Sequence, residues 1–189
     1  MRMRLSANFT LDELTNTNKS DELRAINRET ALNGQETLKN LTALAQKILQ
    51  PIRDFYKQPV VVSSGYRCKA LNVAVGGSQT SQHSYGEAAD IQIDGISVDD
   101  IFADIKSGKV VNLDNVGQVI IEKVNGAEWI HASIKTPRFI KQKAEQYKGR
   151  EERQIGVKVI LPNDPKALEK LLGIPAFLTT TDGKTYERV

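Results

Sequence analysis

The chain has 189 residues, of which 40% are hydrophobic and 26% are charged, and these proportions are typical of a packed globular domain. The net charge of +3 is mild, there is no long basic run and aromatic residues are few, so the composition gives no indication of nucleic-acid binding. Cys68 is the only cysteine, which excludes an intramolecular disulfide, and no apolar run reaches the roughly 18 residues of a membrane span.

The first third of the chain has the pattern of helices. Thr10 and Glu13 have capping-box spacing and predict a short helix. Apolar residues recur at helical spacing from Gln35 to about Tyr56, and Pro51 should kink or split this helix because proline lacks an N–H. The polar segment 20–35 is ambiguous.

The middle of the chain alternates between strands and a helix. The sequence PVVVSS at 59–64 predicts a buried strand, because it is short, apolar and β-branched. The sequence ADIQI at 89–93 alternates with period two and predicts a second strand. Ser97 and Asp100 form another capping-box pattern, so we expect a helix that ends at Gly108.

Two β-rich runs flank Asn125-Gly126, the strongest short signal for a hairpin. A two-residue turn here would place Glu122 opposite Trp129 and diagonal to His131. Because opposed residues share a face of the sheet, these three side chains are predicted to lie on the same side.

The last quarter of the chain is more charged. The segment 164–173 predicts a short helix, and 177–189 predicts a second hairpin on an Asp-Gly turn. Helices come first and short strands with hairpins follow. This order predicts an α+β fold with a mainly antiparallel sheet flanked by N-terminal helices.

The chain contains only two histidines, His83 in a polar loop and His131 in a predicted strand. Asp90 begins another strand, and Gly86 with the small Ala88 and Ala89 allows the His83 loop to fold back toward it. Imidazole nitrogens and carboxylate oxygens are zinc ligands, and three protein ligands with one open position are typical of catalytic sites. Taken singly, such residues are more often surface or turn residues.

Three blocks occur in a fixed order: SGYR at 64–67, SQHSYGEAAD at 81–90 and WIH at 129–131. Together they resemble the zinc D-alanyl-D-alanine carboxypeptidase family of peptidoglycan peptidases, which shares its fold with the hedgehog signalling domain. The resemblance covers about residues 9–134. The opening NFTLDELT and the lack of a secretory signal resemble the phage branch of this family.

The resemblance implies that His83, Asp90 and His131 hold Zn²⁺, with a water molecule as fourth ligand. It implies that Arg67 binds a substrate carboxylate or polarises the scissile carbonyl, for which its planar fork is suited. Ser81 and Trp129 are expected to contact substrate. Near Arg67, Tyr66 is expected in the core and Cys68 as a packed thiol.

The general base has two candidates. Glu122 is favoured because the hairpin register places it on the face of His131, and because the IIE…WIH arrangement resembles the branch with the acid on the preceding strand. Glu128 is the alternative, since some relatives have an acid three residues before the last histidine. A bulge at Ala127 or Glu128 would shift the register and reverse this choice.

The resemblance thus implies a zinc peptidase that cuts an amide in the stem peptide of peptidoglycan, either D-Ala-D-Ala or L-Ala-D-Glu. We expect a phage endolysin or a virion enzyme that is monomeric. It would be made in the host cytoplasm without a signal peptide, and it would act on the cell wall either after holin-dependent release or from the virion. The alternatives are a zinc-containing binding module without catalysis and a virion structural component.

The whole chain, 1–189, is interpreted as a single metallopeptidase domain. Its core covers about 9–134. Residues 135–175 have no counterpart in the family and are interpreted as an insertion, while 176–189 resemble the terminal hairpin of phage relatives.

Overall fold

A computed structural model describes residues 3–147, 175–182 and 185–189. The described α-helices are α1 (Leu11–Leu14), α2 (Asp21–Asn33), α3 (Gln35–Leu44), α4 (Gln50–Tyr56), α5 (Lys69–Ala74), α6 (Val98–Lys106) and α7 (Pro137–Tyr147). The described strands are β1 (Val60–Ser64), β2 (Ala88–Ile93), β3 (Val116–Val124), β4 (Ala127–Ile134), β5 (Ala176–Thr180) and β6 (Glu187–Arg188). The predicted α+β class is confirmed.

The strands form one six-stranded sheet within the described residues, in the order β1-β2-β4-β3-β5-β6. Every neighbouring pair is antiparallel except β3 and β5, which are parallel. The prediction of a mainly antiparallel sheet is therefore confirmed. Strands β2, β4 and β3 occupy the middle of the sheet, and β1 lies at one edge.

The β3–β4 hairpin has the predicted turn. Asn125 and Gly126 have φ values of 53° and 80°, as a two-residue hairpin turn requires. The register pairs Glu122 with Trp129 and continues without a shift as far as Gln118. The one irregularity in the pairing of β3 with β4 lies far from the turn, between Val116 and Gln118. A bulge at Ala127 or Glu128, which would have favoured Glu128 over Glu122 as the base, is absent.

The two faces of the sheet differ in chemistry because side chains alternate along each strand. One face is apolar and packs in the core, where it is contacted by α3, α6 and the helical turn after α3. The fully buried residues Ile91 and Ile130 lie on this face. The opposite face carries the polar residues of the central strands: Asp90, Glu122, Trp129 and His131.

The N-terminal helices follow the sequence signals, with two refinements. Thr10 and Glu13 form the predicted capping box. The ambiguous segment forms α2, which is capped by Ser20. The predicted long helix continues through a π-helical turn, Ala45–Leu49, into α4, so the interruption comes just before Pro51. Because Pro51 cannot donate a backbone hydrogen bond, a wider turn at this point is physically reasonable.

The prediction that 59–64 forms a buried strand is correct for the strand and wrong for the burial. Strand β1 lies at the edge of the sheet, and its residues alternate between half-buried and exposed. The side of Val61 is open to solvent, with 52% of the residue exposed. An apolar β-branched run predicts a strand, but it does not distinguish an edge strand from a central one.

The C-terminal hairpin is present and joins the sheet through β5. Leu178 pairs with Arg188 in the hairpin, and Thr180 pairs with Glu122 of β3. Among the described residues, the pair nearest the turn is Thr179 with Glu187, so the pairing does not extend to a two-residue Asp-Gly turn. The helix predicted at 164–173 lies outside the described residues. None of the described helices has both the length and the apolar character needed to cross a membrane.

Candidate metal centre and active site

Three side chains converge on one point on the polar face of the sheet. The Oδ1 atom of Asp90 lies 3.0 Å from Nδ1 of His131 and 3.2 Å from Nε2 of His83. The two imidazole nitrogens are also 3.2 Å apart. Both histidines are buried. These residues are the three that the sequence proposed as metal ligands.

Strand pairing and a short loop produce this convergence. Asp90 on β2 lies directly opposite His131 on β4. His83 comes from a 3₁₀ turn, Gln82–Tyr85, which ends at Gly86 in the left-handed conformation with φ +69°. A Cβ at Gly86 would approach a backbone oxygen of α3 at 2.9 Å, so glycine lets the loop close onto the helix.

Hydrogen bonds on the outer side fix the orientation of both rings. Nδ1 of His83 lies 2.8 Å from the carbonyl oxygen of Gly65, which can only accept a hydrogen bond. Nε2 of His131 lies 3.0 Å from Oε1 of Gln82, whose amide nitrogen donates to Ser133 Oγ. In the neutral form of each ring, the outer nitrogen therefore carries the proton and the inner nitrogen presents a lone pair.

The inner atoms form a ligand set that a cation would stabilise. Two nitrogen lone pairs and a carboxylate oxygen within 3.2 Å of one another repel unless a positive charge lies between them. Zinc binds such ligands at about 2.0–2.2 Å, and a tetrahedron of that size has edges of about 3.3 Å. The three observed separations are close to that value, so the group fits a zinc ion.

The ionisation of the ligands agrees with metal binding. Burial would raise the pKa of Asp90, but the neighbouring histidines outweigh burial and hold that pKa well below its usual range. Burial lowers the pKa of His83, with Asp90 opposing the shift. An ionised carboxylate and a neutral imidazole are the forms that bind metals.

Arg67 lies beside this centre. Its Nη2 donates to Ser81 Oγ at 3.3 Å, and its backbone N–H donates to the carbonyl oxygen of His83. Its buried Nε has no hydrogen-bond partner among the described residues. Burial lowers the pKa of Arg67, while Asp90 and Glu122 raise it, and a guanidinium remains charged in either case.

The two candidate bases occupy different environments. Burial raises the pKa of Glu122, with a further rise from Asp90, whereas His131 and Arg67 lower it. Glu122 is therefore within electrostatic reach of the centre. Glu128 is exposed near the hairpin tip and lies 3.8 Å from Lys123, as the register predicted.

Two further aromatic residues lie near Glu122. The indole Nε1 of Trp129, which is opposite Glu122, is buried and has no hydrogen-bond partner in the described part of the chain. Burial raises the pKa of Tyr186, and the charges of Glu122 and Asp182 raise it further. Tyr186, just before β6, is therefore within electrostatic reach of Glu122, which the sequence did not indicate.

A buried ion pair behind the His83 loop was also missed. Glu87 is fully buried and pairs with Arg138 of α7, and Thr136 Oγ1 donates to the same carboxylate at 2.6 Å. The guanidinium of Arg138 also stacks on the ring of Tyr85, 3.7 Å from its centroid. The start of the interpreted insertion thus supports the metal loop directly. No short motif signals a contact between residues so distant in sequence.

The sequence of residues 7–131 matches the family model of Peptidase M15. The chain belongs to the Peptidase M15 family. The matched range includes the three converging side chains, Arg67 and Glu122. No curated protein matches the chain. Family membership and the His-Asp-His group together support a metal-dependent peptidase.

Proposed function

We propose that this M15 peptidase is a zinc enzyme that hydrolyses an amide bond in the stem peptide of peptidoglycan. The observation that carries the proposal is the convergence of two imidazole lone pairs and one carboxylate oxygen within 3.2 Å. His83, Asp90 and His131 would hold the ion. Bound zinc would act as a Lewis acid and lower the pKa of a coordinated water to about 7.

Glu122 is proposed as the general base. It lies on the same face as His131, and burial raises its pKa, which makes the carboxylate a stronger base. It would accept a proton from the attacking water and deliver it to the leaving amine. Glu128 is exposed and paired with Lys123, so it is the less suitable of the two acids.

Arg67, Ser81 and Trp129 are proposed to bind the substrate. The side chain of Arg67 is half-buried beside the centre, and its buried Nε–H has no partner among the described residues, so it can donate to a substrate carboxylate or to the scissile carbonyl. Trp129 likewise presents an unpaired N–H in the part of the chain that is described. Unpaired buried donors are costly, and a substrate oxygen would satisfy them.

We further propose that the protein is a phage lysis or virion enzyme and that it works as a monomer. Both D-Ala-D-Ala and L-Ala-D-Glu bonds are compatible with the site. Residues 1–189 are proposed as one domain. Two contacts support this: Arg138, near the start of the interpreted insertion, pairs with Glu87 beside β2, and β5, directly after the insertion, pairs with β3.

The test is digestion of purified cell walls with the protein, with chelator and after zinc is restored. We expect new amino and carboxyl termini in the released muropeptides and no new reducing sugar, with loss of activity in chelator. Reducing ends alone would contradict the proposal and indicate a glycosidase. Zinc-dependent binding without new termini would support the binding-module alternative.

A further inference from the structure

The segment that carries Arg67 is held by a residue of α2. Asn27 is fully buried, and its side-chain amide donates to the carbonyl oxygens of Tyr66 at 2.8 Å and Thr15 at 2.9 Å. Its Oδ1 accepts a hydrogen bond from the backbone N–H of Cys68 at 2.7 Å. The amide thus bonds to the residue before Arg67 and to the residue after it.

Backbone contacts complete the attachment. The N–H of Tyr66 donates to the carbonyl oxygen of Leu14 at 2.7 Å, and the N–H of Arg67 donates to that of His83 at 3.1 Å. A Cβ at Gly65 would lie 2.2 Å from the Leu14 oxygen, so the chain passes closer to α1 than any other residue would allow. Asn27 contributes the only side-chain hydrogen bonds to the backbone of 66–68 among the described residues.

Hydrogen bonds do little to orient the side chain of Arg67, which is otherwise attracted by the charges of Asp90 and Glu122. Its one hydrogen bond in the described part of the chain, to Ser81, is long at 3.3 Å, and Nε has no partner. The position of the guanidinium therefore depends on the position of the Arg67 Cα atom and on the direction of its Cα–Cβ bond. Orientation of a binding group is sensitive to such displacements, since a misplacement of about 1 Å can lower a rate by about 10²-fold.

We infer that Asn27 is a positioning residue for Arg67, fixing the peptide groups on both sides of it so that the guanidinium faces the centre. This inference rests on the proposed function, in which Arg67 binds substrate. The chemistry of an amide suits the role, because only a side chain with both donor and acceptor can bond to a carbonyl and an N–H at once.

The first experiment is a double-mutant cycle on cell-wall digestion. We expect Asn27→Ala to lower kcat/KM by about tenfold or more while zinc content stays at the wild-type level. In the Arg67→Ala background, Asn27→Ala should lower kcat/KM by less than about twofold, because the guanidinium that Asn27 positions is already absent. An equal loss in both backgrounds would overturn the inference.

Ile105→Ala is the matched control for lost stability. Ile105 is a core residue of α6 that is 1% exposed, and its truncation should destabilise the fold without displacing Arg67. We expect kcat/KM of this variant to stay close to wild type under conditions where it is folded. If Asn27→Ala does not fold, Asn27→Asp replaces it in these experiments. Aspartate has a similar volume to asparagine and keeps the acceptor for the backbone N–H of Cys68.

The second readout does not depend on activity. The Arg67 Nε–H is buried, so its exchange with solvent should be slow in ¹⁵N spectra of the wild type. Exchange should become much faster in the Asn27 variant and stay slow in Ile105→Ala. Unchanged exchange in the Asn27 variant would overturn the inference. If the wild type cuts no peptide, the proposed function fails, and this measurement still decides the role of Asn27.

Discussion

The candidate site has two halves that are built in different ways. Asp90, Glu122 and His131 lie on three adjacent strands, where pairing and alternation set their positions. Arg67 and His83 lie on connecting segments, where the backbone is held by bonds to distant residues. The strand-borne half depends on register, and the loop-borne half depends on long-range polar contacts.

This difference has a physical consequence. A strand residue keeps its position as long as the central sheet is paired, whatever lies on the surface. A loop residue keeps its position only while each supporting group is present. Substitutions far from the site should therefore disturb the loop-borne half more than the strand-borne half.

The largest expected effect is on the support of the His83 loop. Arg138→Met leaves the fully buried carboxylate of Glu87 without its cation. We expect the free energy of unfolding to fall by about 3 kcal/mol, at the lower end for a buried pair because Arg138 is partly exposed. Urea denaturation would measure this, and a loss below about 1 kcal/mol would show that the pair does not hold the loop.

The next effect concerns the strand-borne base. Glu122→Gln should lower activity on purified cell wall by about 10²-fold or more while zinc is retained. Glu128→Gln is the control on the other face of the same hairpin and should stay near wild type. The opposite outcome would assign the role of base to Glu128.

A smaller effect is expected at Arg67. Arg67→Ala should lower kcat/KM by about tenfold or more, which agrees with the roughly 1.5–3 kcal/mol of a charged hydrogen bond. Zinc content, measured by elemental analysis, should not change, because Arg67 is not one of the three converging groups. Loss of zinc would mean that Arg67 is structural.

The smallest effect is expected at the hairpin tip. Lys123 pairs with Asp99 at 2.7 Å and Glu128 at 3.8 Å, and all three side chains are solvent-exposed. Lys123→Met should change the free energy of unfolding by about 1 kcal/mol or less, because solvent screens exposed pairs. A larger loss in urea denaturation would mean that the tip contributes to the strand register.

The position of Glu122 in the strand-borne half could be predicted from the sequence because the hairpin signal is local. The Asn125-Gly126 turn fixes the register of β3 and β4, and the register places Glu122 beside His131. The three ligands followed from residue chemistry and from the resemblance of short motifs to a known family.

The supporting contacts could not be predicted for the opposite reason. Asn27 lies in a polar segment whose periodicity was ambiguous, and Arg138 lies in a charged segment that matches no part of the family pattern. Each contacts residues about 40 to 50 positions away, and no local pattern specifies such a partner. The burial of β1 was overestimated because composition does not reveal an edge position.

Metal content shows whether His83, Asp90 and His131 hold one zinc ion. We expect one tightly bound zinc per chain by elemental analysis, and we expect His83→Ala and His131→Ala each to abolish it, because two remaining ligands seldom hold a catalytic metal. Glu128→Gln should retain the full content. A purified wild-type protein that contains no zinc and takes none up on addition would contradict the claim.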